Sequence, residues 1–474
     1  MTRKPTFIES ISTILVMIVI VVTGFIVFNI PIQALLILSS AYAAWIARRV
    51  GLKWTDLEEG ITKRLSTAMP ALFIILAVGI IVGTWMYSGT VPSLIYYGLE
   101  FLNPHYFLVS AFIISAITSV ATGTAWGSAS TAGISLMAIG TQLNIDSGMA
   151  AGAIIAGAVF GDKMSPLSDT TNLAALVTKV NIFNHIRAMM WTTIPASIIG
   201  LIVWFFAGMG YKGNTNTSQM KRLLSELAQI YNINFFVWIP IIVIVVCLLC
   251  KISTVPAMLA SSLSAILVGT FNNHFNIVDG FKASFDGFKD TMLVHSSGLS
   301  EKTIALVQQG GMMSMTEIIV TIFTGYAFAG IVEKAGCLDV ILEKIAKNIN
   351  SVGQLILATI IGGIIMVLAA GVASVVIIMV GVLMMDMYNK MDLDRSNLSR
   401  TLEDSGTMLI PLIPWGTSGI YYTQQLGVAV DKFFIWTVPC YLCIVFAIIY
   451  GFTGIGIKKV NNRSDDKQLP SSNG

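Results

Sequence analysis

The sequence predicts an all-α, polytopic membrane protein. Of its 474 residues, 55% are hydrophobic and 11% are charged, whereas about 25% of the residues in a soluble globular domain are charged. Nine intervals, of which the longest include 10–47 and 101–145, contain no Asp, Glu, Lys or Arg. A membrane-spanning helix needs about 20 residues, so the chain has room for roughly ten to thirteen hydrophobic helical segments, some of them re-entrant.

The positions of the charged residues predict the surroundings and the orientation of the chain. Lys and Arg occur at the ends of apolar intervals, at 3–4, 48–64 and 458–463, and do not form one basic patch. We therefore predict a protein that contacts the lipid bilayer and binds no nucleic acid. Because basic residues favour the cytoplasmic side, both termini are predicted to be cytoplasmic and residues 89–104 to lie outside.

Short motifs recur in the same order in two parts of the chain. GDKMSPL at 161–167 matches GTMLIPL at 406–412 with an offset of 245, and AWGSAS at 125–130 matches AAGVAS at 369–374 with an offset of 244. A third match, between two glycines in each half, has an offset of 247. Two-fold repeats of this kind organise many transporters, so we predict an internal repeat.

The repeat divides the chain into six predicted parts. They are an N-terminal transmembrane hairpin (1–52), a first repeat (53–210), a linker loop with connecting transmembrane helices (211–274), a second repeat (275–430), a last transmembrane helix (431–457) and a disordered cytoplasmic tail (458–474).

The stretch GDKMSPLSDTTN, residues 161–172, places polar and charged residues between two apolar runs that are each too short to cross a membrane. Pro166 lacks a backbone N–H, so the carbonyl of Asp162 loses its helical partner. Pro411 does the same in the segment 403–419 of the second half. We therefore predict one interrupted helix in each half, the pattern that marks transporter binding sites. The residues predicted to break these helices are Gly161, Pro166, Gly406, Pro411 and Pro414.

Both interrupted segments, and the stretch 119–131, are rich in side-chain oxygens. Carboxylate, hydroxyl and carbonyl oxygens are the ligands of hard cations such as Na⁺. Asp162 and Asp169 are the predicted Na⁺ ligands, because an acidic side chain at membrane depth is functional by default. Removal from water penalises the ionised form of a carboxyl group, so a proton and Na⁺ can compete for it. The residues predicted to complete this cation and proton site are Ser165, Ser168, Thr170, Thr171, Asn172, Thr124, Ser128, Ser130, Thr407, Thr417 and Ser418.

Several charged residues near this site have more than one interpretation. Asp169 is also suited to cap the second half-helix. Lys163 is either a counter-charge that lowers the cost of an empty site or a residue that faces an interface. Glu403 and Asp404 are ligands, a proton relay, or the water-exposed start of their span.

Other classes of protein find less support in the sequence. An intramembrane enzyme needs a nucleophile and a base at membrane depth, and the histidines at 105, 185, 274 and 295 fall at span ends or in loops. The C-x-x-C pairs at 247–250 and 440–443 lie in apolar segments and are interpreted as packing residues. A passive channel differs from a transporter in that a pH gradient does not drive its flux. We predict no enzyme activity and no cofactor, with Na⁺ and H⁺ as transported ions.

The stretch GAVFGDKMSPLSDTTNLA, residues 157–174, resembles the signature of the NhaC family of Na⁺/H⁺ antiporters. LIPLIPWGTSG at 409–419 extends the resemblance into the second half. The resemblance implies a secondary antiporter of the bacterial inner membrane, with inverted repeats and helical hairpins around a central site. A Na⁺/H⁺-coupled carboxylate exchanger for malate and lactate is the alternative, because some relatives of this kind are similar. The oligomeric state is left open, with a homodimer as one option.

Overall fold

The computed structural model describes residues 3–28, 30–101, 103–211, 217–250, 252–293, 299–346 and 349–460. Within these ranges, six helices are long and apolar enough to cross a membrane, and three bent helix pairs bring this number to nine. The predicted all-α, polytopic membrane fold is confirmed. Further hydrophobic segments form helices that are shorter or interrupted. Of the predicted tail, residues 461–474 lie outside the described residues.

The helices are labelled here in chain order. The N-terminal hairpin and the first half contain α1 (Phe7–Val22), α2 (Ile32–Arg49), α3 (Trp54–Ser88), α4 (Thr90–Phe101), α5 (Phe107–Thr122), α6 (Ala125–Ser128), α7 (Ile134–Gln142), α8 (Ser147–Met164), α9 (Asp169–Thr178) and α10 (Ile182–Met209). The connecting region contains α11 (Thr217–Ile230), α12 (Ile239–Leu249), α13 (Thr254–Asn272), α14 (Ile277–Asp286) and α15 (Glu301–Val307).

The second half ends at the last helix of the chain. It contains α16 (Thr316–Lys334), α17 (Cys337–Ala346), α18 (Val352–Ala370), α19 (Ala373–Val375), α20 (Gly381–Lys390), α21 (Arg395–Ser405), α22 (Thr417–Leu426), α23 (Val430–Phe433) and α24 (Val438–Thr453). Single π-helical turns, Ala129–Gly133 and Val376–Val380, join α6 to α7 and α19 to α20.

Side-chain caps explain where the helices of the interrupted segments begin. Asp146 caps α8 by accepting a hydrogen bond from the Met149 N–H, and Asp394 caps α21 by accepting one from the Ser396 N–H. A cap of this kind satisfies a backbone donor that the helix itself leaves free. The positions of polar residues in the apolar sequence therefore fix the starts of both helices.

The same succession of backbone features occurs twice, with an offset of 248 residues. In each half a helix ends at a glycine in the left-handed backbone conformation, a π-helical turn follows, and an aspartate caps the next helix. The matching positions are Gly123 and Gly371, Asn144 and Asp392, Asp146 and Asp394, and Lys179 and Gly427.

This register corrects the offsets of 244 and 245 that the motifs predicted. An offset of 248 places Pro166 opposite Pro414, whereas the motifs placed Pro166 opposite Pro411. The difference is about one helical turn. Small residues are frequent in these apolar segments, so the two sequences can be aligned almost equally well one helical turn apart. The matching backbone conformations identify the correct register. The predicted boundaries of the repeats at 53–210 and 275–430 stay a prediction.

The two interrupted segments enter the bundle from opposite faces. At the end of α10, the Asp146 N–H donates to the Tyr211 hydroxyl at 3.0 Å, so α8 begins at what we call the Tyr211 face. At the start of α10, Asn181 and Asp394 line one surface pocket, and the Asp394 N–H donates to the Lys458 carbonyl at 3.0 Å. Helix α21 therefore begins at the opposite, Lys458 face, and the halves are inverted.

Two helical hairpins accompany the interrupted segments. The first hairpin, 107–142, has both ends at the Tyr211 face, where His105 packs against Gly208 and Asp146 follows α7. The second hairpin, 352–390, has both ends at the Lys458 face, where Gly353 packs against Phe452 and the chain after α20 pairs with 458–460. The tips of the hairpins, 123–126 and 371–374, are not continuous α-helix. Each tip exposes backbone groups inside the bundle.

The outer surface of the bundle is apolar. Helix α10 shows this most plainly, because Ile194, Ile198, Ile202 and Phe206 follow one another at helical spacing and are all exposed. An exposed apolar stripe of this length is suited to contact with lipid. Most polar residues of the interrupted segments, such as Lys163, Ser168 and Asp404, are instead buried among helices.

Candidate cation site

A cavity of about 320 Å³ lies where the tips of both hairpins meet both interrupted segments. Its walls come from four separate places in the sequence, together with side chains of α3 and α16. The lining residues are Thr67, Ile74, Gly123, Thr124, Ala125, Trp126, Val159, Asp162, Ser168, Asp169, Thr170, Tyr326, Val372, Ala373, Ser374, Thr407, Ile410, Pro411, Thr417, Ser418 and Tyr422.

Both predicted carboxylates line this cavity. Asp162 is half-buried in the last turn of α8 and lines the cavity beside Ala125 and Ser168. Asp169 is exposed in the first turn of α9. The residues that line the cavity, all within the described ranges, include two acids and no Lys, Arg or His. The site therefore has the charge to attract a cation.

At the break in the first segment, neighbouring polar groups form hydrogen bonds with the free backbone carbonyls. Helix α8 ends at Met164, and the carbonyl of Asp162 accepts hydrogen bonds from the Ser165 N–H at 3.1 Å and the Thr171 hydroxyl at 3.4 Å. The Asn172 amide donates to the carbonyls of Pro166 at 2.8 Å and Ser168 at 2.7 Å. The carbonyl freed by Pro166 has found other partners, as a helix break inside a membrane requires.

The cap of the second half-helix is not the residue expected. Ser168 is the N-cap of α9 and accepts from the Thr171 N–H, while Asp169 occupies the first helical position. There its charge lies near the positive end of the helix dipole. The alternative in which Asp169 serves as the cap is wrong, because Ser168 already holds that position.

The second segment is broken over a longer stretch. Helix α21 ends at Ser405, a single 3₁₀ turn covers Ile410–Leu412, and α22 begins after Gly416. Thr417 donates from its N–H at 2.9 Å and its hydroxyl at 3.2 Å to the Gly371 carbonyl in the tip of the second hairpin. Thr407 lines the cavity and is 6% exposed, and its buried hydroxyl has no hydrogen-bond partner among the described residues.

Several predicted hydroxyls instead satisfy backbone carbonyls away from the cavity. Ser128 donates to the Ser115 carbonyl at 2.8 Å, Ser130 donates to Gly127 at 3.1 Å, and Ser165 donates to Val120 at 2.9 Å. Ser and Thr on helices commonly bond nearby carbonyls in this way. The predicted oxygens that line the cavity are those of Asp162, Asp169, Ser168, Thr170, Thr124, Thr407, Thr417 and Ser418.

Lys163 and Asp404 form an ion pair in which both side chains are fully buried. Thr192 of α10 donates a further hydrogen bond to the same carboxylate oxygen at 3.0 Å. Glu403 and Asp404 lie in the last turn of α21 and are fully buried, so the interpretation that they form a water-exposed start of the span is wrong. Lys163 is a counter-charge and it also faces the interface between the two interrupted segments.

Sequence reasoning missed several residues of the site. Trp126 donates to the Ser418 hydroxyl at 3.1 Å and stacks on Tyr421 with ring centroids 4.7 Å apart, which joins the first hairpin to α22. Ser374, Tyr326 and Tyr422 also line the cavity. Ser374 could have been found from the repeat, since it lies 248 residues after Trp126.

A second omission concerns a histidine that was expected at a span end. His185 is fully buried, and its Nδ1 lies 2.7 Å from the hydroxyl of Ser399 on α21. It does lie near the start of α10, and packing against α21 removes it from solvent.

These features define the class of protein. Two inverted segments, each interrupted near the middle of the bundle, meet two helical hairpins at an acidic cavity, and this is the architecture of a secondary transporter. The chain belongs to the Na⁺/H⁺ antiporter family, which matches residues 157–455. The resemblance to NhaC antiporters found in the motifs is confirmed.

Individual relatives match nearly the whole chain. It is 36% identical over 461 residues to an uncharacterized Na⁺/H⁺ antiporter of Haemophilus influenzae, covering 97% of this chain and 98% of the relative. It is 36% identical over 455 residues to a malate-2H⁺/Na⁺-lactate antiporter of Bacillus subtilis, covering 95% and 96%. It is 32% identical over 460 residues to the Na⁺/H⁺ antiporter NhaC of Alkalihalophilus pseudofirmus, covering 97% and 98%. The names of these relatives therefore specify different transported ions and organic acids.

Proposed function

We propose that this protein exchanges Na⁺ for H⁺ across the bacterial inner membrane and that both ions compete for Asp162, with Asp169 as the second carboxylate. The observation that carries the proposal is the shared position of these acids in one cavity between two inverted, interrupted segments. Two neighbouring carboxylates resist simultaneous ionisation, so the empty cavity favours a bound proton or a bound Na⁺. Competition for one site couples the two fluxes.

The remaining ligands of Na⁺ would come from both halves. The free hydroxyl of Thr407 and the hydroxyls of Thr170 and Ser418 face the cavity. Na⁺ prefers such oxygen ligands, and interrupted helices supply additional carbonyls. The protein needs no cofactor for this exchange, because the transported ions are themselves the reactants.

Alternating access follows from the inverted arrangement. The first hairpin opens toward the Tyr211 face and the second toward the Lys458 face, and their tips meet across the cavity. The basic residues at 48–64 and 458–463 support a cytoplasmic position for the Lys458 face and for both termini. Contacts between tip and segment, such as Trp126 to Ser418 and Thr417 to Gly371, are the ones that must rearrange when access changes sides.

A carboxylate exchanger is the second candidate, supported by the name of the Bacillus subtilis malate-2H⁺/Na⁺-lactate relative and by a cavity of about 320 Å³, which has room for more than one ion. The charges favour a cation. Lys163 is paired with Asp404, and no Lys or Arg is among the described residues that line the cavity. A malate dianion would therefore have to bind beside two acids without a basic partner.

Flux in proteoliposomes tests the proposal. Purified protein is reconstituted, an inside-acid pH gradient is imposed, and uptake of ²²Na⁺ is followed with and without external malate or lactate. We expect uptake that depends on the pH gradient and does not require an organic acid. Uptake only in the presence of malate or lactate would establish the carboxylate exchanger, and uptake unaffected by the pH gradient would indicate a channel.

A further inference from the structure

Helix α21 carries a polar face inside the protein. All of its residues from Ser396 to Ser405 are buried. Polar and charged side chains occur on it at helical spacing, so they share one face that continues to the cavity. These side chains are Ser396, Ser399, Arg400, Glu403 and Asp404, and Thr407 follows two residues after the end of the helix.

Many polar atoms along this face lack a hydrogen-bond partner within the described part of the chain. Both carboxylate oxygens of Glu403, Oδ2 of Asp404 and Nε2 of His185 are among them, and so are the hydroxyls of Thr193 and Ser197 on the neighbouring helix α10. Buried polar groups are nearly always hydrogen-bonded, to protein or to ordered water. A cluster this large is suited to a chain of water molecules between α10 and α21.

The polar face lies between a surface pocket and the cation cavity. It begins at a surface pocket of about 500 Å³ at the Lys458 face, lined in part by Asn181, Asn184, Asp394 and Arg395. It ends at Ser405, about 16 Å further along at a rise of about 1.5 Å per residue, and Thr407, two residues later, lines the cation cavity. Between these ends, the side chain of His185 contacts Ser399. Glu403 follows one turn later, outside the cavity lining, and it precedes Asp404, whose ion-pair partner Lys163 follows Asp162 in the chain.

We propose that the polar face of α21 is a proton pathway between the Lys458 face and Asp162, with Glu403 as the transferring carboxyl group, and that Na⁺ does not use it. The proposal rests on the exchange function above and adds a separate route for one of its ions. Imidazole, carboxyl and hydroxyl groups each donate and accept protons, so His185, Ser399 and Glu403 can pass a proton along hydrogen-bonded water.

The route is suited to protons and not to Na⁺ because of how each ion moves. Arg400 and Lys163 are buried beside it together with Glu403 and Asp404, so their charges balance. A proton crosses by exchange between neighbouring groups and needs no vacant site for a hydrated ion. The titratable or charged groups near Glu403 or along the route are Asp162, Lys163, Asp169, His185, Tyr388, Arg400, Asp404, Cys440, Cys443 and Tyr450.

The experiment compares two transport modes of one variant. Wild type and Glu403→Gln are reconstituted, and ²²Na⁺ uptake is measured against internal Na⁺ at equal pH and, separately, against a proton gradient. Exchange of Na⁺ for Na⁺ needs no proton pathway. We expect Glu403→Gln to keep this mode within about twofold of wild type while Na⁺/H⁺ exchange falls at least tenfold, and Glu403→Asp to restore it.

Two controls make each outcome decisive. Thr401→Val removes a hydroxyl from another face of the same helix, where Thr401 bonds the Asn397 carbonyl, and is expected to leave both modes unchanged. If wild type performs neither mode, the exchange function itself is wrong. If wild type performs both modes and Glu403→Gln lowers both equally or lowers neither, the proton pathway is overturned and the exchange function stands. If Glu403→Gln does not fold, Glu403→Asp decides: equal loss of both modes from the folded variant overturns the pathway, and retention of both supports it.

Discussion

Lys163 at the end of α8 and Asp404 at the end of α21 form a fully buried ion pair that joins the two interrupted segments. The pair lies behind the cation cavity, and Thr192 of α10 holds the same carboxylate oxygen. Because the segments come from opposite faces of the bundle, this contact ties the two halves together near their centre. The strength of this ion pair therefore affects how the two halves move relative to each other.

Breaking the pair from one side is expected to destabilise the protein strongly. Lys163→Met or Asp404→Leu leaves the other charge buried without a partner, which costs about 3–5 kcal/mol. The double variant removes both charges and should recover most of that loss. Chemical unfolding of the purified variants in detergent measures this coupling, and two single variants that each lose under about 1 kcal/mol would refute the account of the pair.

Thr407→Val tests the cavity hydroxyl that has no partner in the described structure. Valine keeps the shape and removes an oxygen ligand, so Na⁺ affinity should fall about five- to tenfold, which corresponds to about 1–1.4 kcal/mol. Stability should change little, since no internal hydrogen bond is lost. Isothermal titration with NaCl gives the affinity, with Thr401→Val as a matched control outside the cavity. Equal affinity in both variants would remove Thr407 from the site.

Gly371→Ala tests the tip of the second hairpin. Gly371 has φ +65, where a side chain is strained, and an added Cβ would meet other atoms no closer than 3.4 Å. Gly427 has φ +68 and open space around it, so Gly427→Ala carries the same backbone strain away from the cavity. Both variants should lose about 1 kcal/mol of stability. Transport assays should show slower Na⁺/H⁺ exchange for Gly371→Ala alone; equal rates would mean that the tip conformation is unimportant.

The sequence was sufficient to predict the interrupted segments and the acids they carry. Pro166 and Pro411 occur inside apolar runs, and Asp162 and Asp169 are costly at membrane depth, so local chemistry marks both positions. The structure places both acids in one cavity. The fold class followed from the same kind of evidence, because apolar intervals of span length do not depend on distant contacts.

Other features depend on contacts between distant parts of the chain. Lys163 and Asp404 are separated by 241 positions, and no local pattern pairs them. The partner of a hydroxyl is equally hidden, which is why Ser128 and Ser130 looked like ligands although they bond nearby carbonyls. The offset of the repeat predicted from the motifs differs from the structural offset by about one helical turn. The structural register is defined by residues in the left-handed backbone conformation, such as Gly123 and Gly371, and a residue's identity alone does not reveal that conformation.

The central claim is that Na⁺ and H⁺ compete for Asp162, and proton release on Na⁺ binding tests it most directly. NaCl is added to purified protein in weakly buffered detergent solution with a pH indicator, and the same is done with Asp162→Asn after circular dichroism has shown that the variant is folded. We predict that wild type releases protons in proportion to the Na⁺ bound and that Asp162→Asn releases none. Undiminished Na⁺-linked proton release from the folded variant would contradict the claim.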